Sequence, residues 1–329
     1  MQEPGRPIHN IFANHVNLSI LCILKEKSLF TIPVLLGVTF IVFTIMALTP
    51  GDPGRLILGQ TARQEAVDQL NHELGYDQPF FTRFFNYIKD IVTKFDFGVS
   101  YRTQQPVFDE IWARFPFTLR LAVFSIIFSS LIGVSLGILS AVKQYTFIDT
   151  FSTVMAMFFA AIPGFWLGMM LIYFFSYKIP IFPTHGADSW DGFVLPIITM
   201  TLGGAASLLR LTRSTMLETI RADYIRTARA KGASQKIVIW RHALKNALLP
   251  IITVLGMQFG GLLGGAVITE TVFAIPGLGM HIVTAIRQKD VPVVMSGTLF
   301  LAALFCIIML LVDLLYAFID PRIRAKYSR

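Results

Sequence analysis

Six stretches of this chain contain no Asp, Glu, Lys or Arg: residues 28–51, 121–142, 150–177, 192–209, 246–269 and 291–312. That pattern constrains the fold more than any motif. Each run is near the roughly 20 apolar residues that a helix needs to cross a bilayer. In hydrocarbon every backbone amide must be satisfied internally, as it is within an α-helix. The chain is 54% hydrophobic and 15% charged, with mean hydropathy +0.63; soluble domains carry about 25% charged residues. We expect an all-α polytopic membrane protein with six transmembrane helices. The charge-free stretch 7–24 holds His9, Asn10, Asn14, His15 and Asn17, which disfavours a span; an interfacial helix suits residues 17–27 better. The net charge of +8 does not point to nucleic acid, because the basic residues sit in loops flanking the apolar runs. Two cysteines, Cys22 and Cys306, make no disulfide framework.

Orientation follows from the Lys/Arg bias of the loops. Residues 210–245 hold nine Lys/Arg and two acids, Glu218 and Asp223. Residues 320–329 carry four basic residues and one acid, whereas residues 52–116 carry seven basic and nine acidic. This bias places both termini, 143–149 and 210–245 in the cytoplasm. Residues 52–116, 178–191 and 270–290 then lie outside. The expected organisation is a cytoplasmic N-terminal segment 1–27, a first span 28–51, an extracellular helical insertion 52–116, a five-span core 117–319 and a basic cytoplasmic tail 320–329. In the insertion, Val67, Leu70 and Leu74 share a helical face with Gly75 as a C-terminal cap. Phe81, Phe84, Phe85, Ile88, Ile91 and Phe95 form a second stripe, and Phe108, Ile111, Trp112 and Phe115 a third. Such helices suit a membrane interface or the outer ends of the spans.

Several chemistries lack their residues. No GxxxxGK[ST] phosphate loop is present, so ATP hydrolysis by that route is not expected. The six histidines show no i,i+4 pair, and no Gly-x-Ser-x-Gly elbow occurs. The runs hold no mid-span ionisable residue of the kind that ion relays need. An enzyme is not expected, and the driving energy is expected on another subunit. The spans do contain helix softeners: Ile162-Pro163-Gly164 interrupts the third, and Pro196 and Pro250 sit near the starts of the fourth and fifth. Gly133 with Gly137, and Gly260, Gly261, Gly264 and Gly265, have the spacing of close helix packing.

The basic loop has an internal pattern. It reads YIRTARAKGAS from Tyr224, then RHALKNALLP at 241–250. On a helix Ala228 and Gly232 would share one face, with Arg226, Arg229, Lys231 and Arg241 around it as partners for acidic groups. Gly232 can also end a first short helix before a second. Topology and contact with anionic lipid are the simpler explanation of the basic residues.

Further segments are TPGDP at 49–53, LGYDQPFFTRF at 74–84, DFGVSYRTQQPV at 96–107, AIPGFWLG at 161–168, ETVFAIPGLG at 270–279 and DLLYAFIDPRIR at 313–324. In this order the chain resembles the first permease subunit of the oligopeptide/dipeptide/nickel ABC importers, and its basic loop resembles their EAA loop. The glutamate that names that loop is absent, with Arg226-Thr227-Ala228 in its place.

The resemblance implies a type I ABC importer permease fold and a helix–turn–helix that rests on an ATPase subunit. Tyr224, Arg226, Thr227, Ala228, Arg229, Lys231, Gly232, Arg241, His242 and Asn246 would form that contact. Pro50, Gly51, Asp52 and Pro53, with Glu270, Phe273, Pro276, Gly277 and Gly279, would form an outer gate or receptor-facing surface; as bare sequence both are simply turns. The implied partners are a homologous second permease, two ATPases carrying ATP and Mg, an extracellular solute-binding protein and the lipid membrane. No cofactor, metal or nucleic acid is expected on this chain. The implied cargo is di- or oligopeptides, with nickel or another solute as the alternative. An ion-coupled carrier and a membrane scaffold are the readings from other classes.

Overall fold

The computed structural model describes residues 29–49, 51–187 and 189–319. The expectations for residues 1–27, Pro50 and 320–329 fall outside them. The described residues form helices and connecting turns. In chain order these are α1 (Leu29–Leu48), α2 (Pro53–Leu58), α3 (Gln64–Glu73), α4 (Phe80–Lys94), α5 (Val107–Val142), α6 (Phe147–Ala161) and α7 (Gly164–Ile172). Then come α8 (Val194–Arg221), α9 (Asp223–Ala230), α10 (Gln235–Ile237), α11 (Leu244–Gly265), α12 (Val267–Val272), α13 (Leu278–Gln288) and α14 (Val291–Ile319).

Five of these helical stretches are long and apolar enough to cross a membrane: Leu29–Leu48, Val107–Val142, Trp190–Arg221, Gln235–Gly264 and Val291–Tyr316. Two further pieces, α6 and α7 with its π-helical extension Tyr173–Lys178, are long and apolar enough only when taken together, and they are bent by 95°. The cause of the bend is local. Pro163 has no amide hydrogen to give and pushes Ile162 into extended backbone at φ −77°, ψ 125°.

Two expectations need correction. The third aromatic stripe is not a separate interfacial helix. Phe108, Ile111, Trp112 and Phe115 are the opening turns of α5, whose 36 residues run straight into the second span. At 1.5 Å per residue that helix is about 54 Å long, so its first third stands beyond the hydrocarbon. Likewise residues 210–245 are mostly not loop, because α8 continues to Arg221 and helix resumes at Gln235.

The centre of the bundle is the crossing of α5 and α8. Small residues let the two backbones meet. A Cβ on Gly133 would lie 2.6 Å from the Ala205 carbonyl oxygen, and one on Gly137 2.6 Å from the Thr212 Cβ. Ser129 Oγ donates to the Thr201 carbonyl at 3.1 Å across the same seam. α11 packs on α14 in a similar way, with Gly256 against Val312 and Gly260 against Phe305. A Cβ on Gly261 or Gly264, from the same glycine cluster, would meet nothing within 4 Å among the described residues.

The insertion is fastened to the end of the bundle remote from α9. Its core joins Phe43 and Met46 of α1, Phe84 of α4, Val107 and Ile111 of α5 and Leu278 of α13. Phe84 faces inward on α4, whereas Phe81, Phe85 and Phe95 are exposed, so that stripe is divided between packing and surface. Buried Asp290 accepts Ser100 Oγ at 2.6 Å and the Tyr101 amide at 3.2 Å, tying the 100–105 turn to the base of α14.

Because the α5–α8 seam has no spare room, Gly133→Val or Gly137→Val is expected to lower the stability of the chain in detergent by about 1–3 kcal/mol. Gly203→Ala, at a helical glycine with open space around it, is the control and is expected not to destabilise. Thermal unfolding of the purified variants checks both.

Candidate coupling loop and the opposite corner

After Arg221 the chain turns at extended Ala222 into the eight-residue α9. Ile225 is the anchor: it is fully buried and packs in a cluster with Met216, Val238, Ile239, Ala243 and Ala247. α9 ends in a Schellman closure. The Gly232 amide donates to the Arg229 carbonyl at 2.9 Å and the Ala233 amide to the Ala228 carbonyl at 3.2 Å. Gly232 has φ +81°, a region that residues with a Cβ avoid. Ala228 and Gly232 therefore do not share a helical face; their spacing is that of a carbonyl and the left-handed stop beyond it.

Tyr224, Arg226, Thr227, Arg229, Lys231, Gly232, Arg241 and Asn246 are exposed, and Ala228 and His242 are half-buried. Arg226 has one ion-pair contact, with Asp223 at 3.6 Å, and both side chains are exposed; such a pair adds little. Arg241 and His242 lie in a π-helical turn, Val238–Ala243, that joins α10 directly to α11. This second half of the loop is thus one rod with the fifth span. Sequence reasoning missed Ile237 and Trp240, which are 46% and 62% exposed beside the basic residues. Their signal was an apolar pair on the polar side of an otherwise amphipathic segment. Behind α9 a 440 Å³ cavity lies between Arg226 and Arg229 on one wall and Gln144 and Tyr145 of the α5–α6 turn on the other.

At the far end, Asp52 caps α2 and accepts from Asn71 Nδ2 at 2.7 Å, and Pro53 is buried in the first turn of that helix. Gly51 is exposed and lies against the side chain of Lys289, at the C-terminus of α13. Glu270 sits at the other end of α13. The two outer motifs therefore flank one helix and do not meet.

The expectation that the 270–279 set faces a partner needs revision. Glu270, Phe273, Gly277 and Gly279 are buried, and only Pro276 of that set is exposed. The Glu270 carboxylate accepts Thr118 Oγ1 at 2.6 Å and the Met280 amide at 2.8 Å, and it presses on Gly277. It thereby caps α13 and pins it to α5. Burial raises its carboxyl above the ordinary value, opposed by the Thr118 hydroxyl and the Met280 and Gly279 amides. Beside it His281 Nε2 lies 3.1 Å from Glu110 Oε2, at the same boundary between α13 and α5. Phe273 packs on Gly168 of α7.

Comparison with known proteins places this arrangement. Residues 133–325 match the family described as "Binding-protein-dependent transport system inner membrane component", and residues 20–122 match its N-terminal companion. The chain belongs to this permease family. It is 41% identical to the dipeptide transport system permease protein of Alkalihalophilus pseudofirmus, over 91% of this chain and 98% of that one. It is 40% identical to the glutathione transport system permease protein of Escherichia coli K12, over 92% and 98%. Among solved structures, the inward-facing MetNI methionine ABC transporter superposes with a TM-score of 0.54 at 20% identity, over 64% of this chain and 96% of that one. An amino acid ABC transporter superposes with a TM-score of 0.52 at 14% identity. The fold of this permease is that of type I ABC importers, and the chain is a multi-pass inner-membrane transport component.

A buried carboxyl with a raised titration point binds its proton more tightly when folded. The stability it contributes is full in acid, below the ordinary value of 4.5, and is lost as pH rises through the raised value. Glu270→Gln has no such proton. The wild-type melting temperature minus that of the variant is therefore expected to fall as the pH is raised above 4.5. A difference that stays constant with pH would place the titration elsewhere.

Proposed function

We propose that this permease forms one half of the pathway of an ATP-driven importer of di- and oligopeptides. The observation that carries the cargo assignment is 40–41% identity, over more than nine-tenths of the chain, to permeases named for dipeptides and for glutathione. Both cargoes are short peptides. The other half would be a homologous permease, for which the bare Gly261 and Gly264 surface of α11 offers a close-packing face. Two ATPases carry the ATP and Mg and hold the α9 surface in the cytoplasm, where both termini also lie. A solute-binding protein docks on the insertion side.

Coupling follows from the geometry of α9. It is short and ends at a glycine stop, and beyond residues 231–234 the chain re-enters helix at α10, which runs through the π-helical turn into α11. Its exposed Arg226, Arg229 and Lys231 suit acidic side chains, while Tyr224, Ile237 and Trp240 add apolar contact of the kind that anchors interfaces. Closure of the ATPases on ATP would draw the α9 helices together and tilt the spans outward; hydrolysis would reset them.

The test is reconstitution of the chain with its second permease, ATPases and binding protein in vesicles, scored by uptake of radiolabelled dialanine and glutathione. ATP-dependent uptake of at least one is expected. Uptake by this chain alone under an ion gradient would overturn the proposal. Arg226→Glu with Arg229→Glu is expected to weaken ATPase binding by about tenfold or more, the equivalent of about 1.4 kcal/mol. Gly232→Arg, which forces a side chain into left-handed backbone, is expected to abolish coupled uptake. Wild-type coupling in both variants would remove α9 from the ATPase contact.

A further inference from the structure

Near the α9 end of the bundle lies a buried carboxylate that the preceding reading does not use. Asp149, in the first turn of α6, is 4% exposed. Arg213 of α8 grips it with a two-pronged contact, Nε to Oδ1 at 2.6 Å and Nη2 to Oδ2 at 2.9 Å. Ser140 of α5 donates to Oδ1 at 2.5 Å, and the Tyr145 amide of the α5–α6 turn donates to Oδ2 at 3.0 Å. One carboxylate thus gathers α5, the turn, α6 and α8.

The surroundings give that junction a mechanical meaning. Arg213 is about two helical turns above Arg221, where α8 hands over to α9. Arg221 Nη2 donates to Gln144 Oε1 at 3.2 Å, and Gln144 and Tyr145 face α9 across the cavity behind it. Tyr145 itself has φ +64°, a strained position for a residue with a Cβ, held by its bond to Asp149.

Farther along, α6 touches α8 only through small side chains, with Ala156 against Ala206 and Leu209. A 330 Å³ apolar groove lined by Ile132, Leu136, Phe151, Met155, Phe159 and Leu202 runs along that boundary. α5 and α8 are already locked together by glycine contact; α6 is tied to them by the polar junction at its base and by the Ala156 contact above it. Beyond α6 the chain bends into α7, where Gly168 packs on Phe273 of the Glu270 corner.

We propose that Asp149 and Arg213 are positioning residues that clamp α6 to the α5–α8–α9 body, so that displacement of α9 drives the broken α6–α7 span and, through it, the far corner. The planar fork of Arg213 fixes orientation as well as distance. A buried ion pair is a weak source of net stability compared with apolar packing; its specific product is geometry. The inference rests on α9 being the ATPase contact.

The test uses the full complex in vesicles, with the ratio of labelled peptide taken up to ATP hydrolysed as the readout. Arg213→Gln and Asp149→Asn are each expected to lower that ratio about tenfold, within the usual range of coupling between sites, while the ATPases still co-purify. Arg213→Lys, which keeps charge but not the fork, is expected to fall between. In a second arm Cys22 and Cys306 are replaced by Ser, and Asp149→Cys is combined with Arg213→Cys. A short bis-thiosulfonate linker is expected to restore the ratio, and reductant to lower it again in the same vesicles. The clamp is overturned if the variants keep the wild-type ratio, if uptake and hydrolysis fall in proportion, or if linking leaves the ratio low. If the single variants cannot be purified, the linked protein decides alone. A wild-type complex without ATP-dependent uptake would instead sink the importer reading on which the clamp depends.

Discussion

The backbone contact between α5 and α8 is the constraint on which the other features depend. Inside a bilayer, apolar side chains gain little by leaving lipid for protein, so helices associate through close packing and hydrogen bonds. Gly133 and Gly137 let α8 approach until the Ala205 backbone and the side chains of Leu208 and Thr212 meet α5. Once that seam is set, the length of α5 does the rest. Its outer third carries Ile111 into the insertion core and Thr118 to Glu270. Its inner end carries Ser140 to Asp149. α8 in turn holds Arg213 at that carboxylate and delivers α9.

Three buried carboxylates then set the angles at which the remaining elements leave this pair. Asp149 collects α6, Glu270 collects α13 and Asp290 collects the insertion. Each lies at the end of a span, where several donors from separate elements can converge. A buried carboxylate without such donors would be expensive; with them it fixes where its neighbours sit. This explains why apolar runs free of charge are compatible with ionisable groups that matter: the charges lie at the corners where rods meet.

The sequence makes the rods legible but not the corners. Six charge-free runs locate the spans, Pro163 locates the bend, and a glycine after ARAK locates the end of α9, because each acts through local backbone chemistry. Reading charge as loop fails at both ends of the spans. Arg114 and Arg120 do not break α5, and Arg120 lies over the rings of Phe117, Trp190 and Phe193 at 5.7–5.9 Å. Arg213 does not end α8, since its charge has a buried partner 64 residues away. Glu270 reads as a surface residue of a turn because nothing in its own segment reveals that Thr118 lies above it. Equally, the glycine cluster of α11 does not reveal which face is filled; Gly260 meets Phe305 while Gly261 and Gly264 stay bare.

These differences in packing also say where the molecule can yield. Work delivered at α9, as proposed, would not separate α5 from α8, because interlocked backbones have no low-cost way to slide. The α10 half of the loop forms one rod with α11, since the π-helical turn Val238–Ala243 leaves no free segment between them. The compliant element is the third span, which has a groove along one side, a 95° bend in its middle and a π-helical end. Motion is therefore expected to concentrate along the boundary between that span and the α5–α8 pair. It emerges at the Phe273 corner, where α7 leans on the segment that Glu270 holds. On the proposed coupling, a rigid seam beside one compliant span turns a push at the α9 end into a tilt at the other.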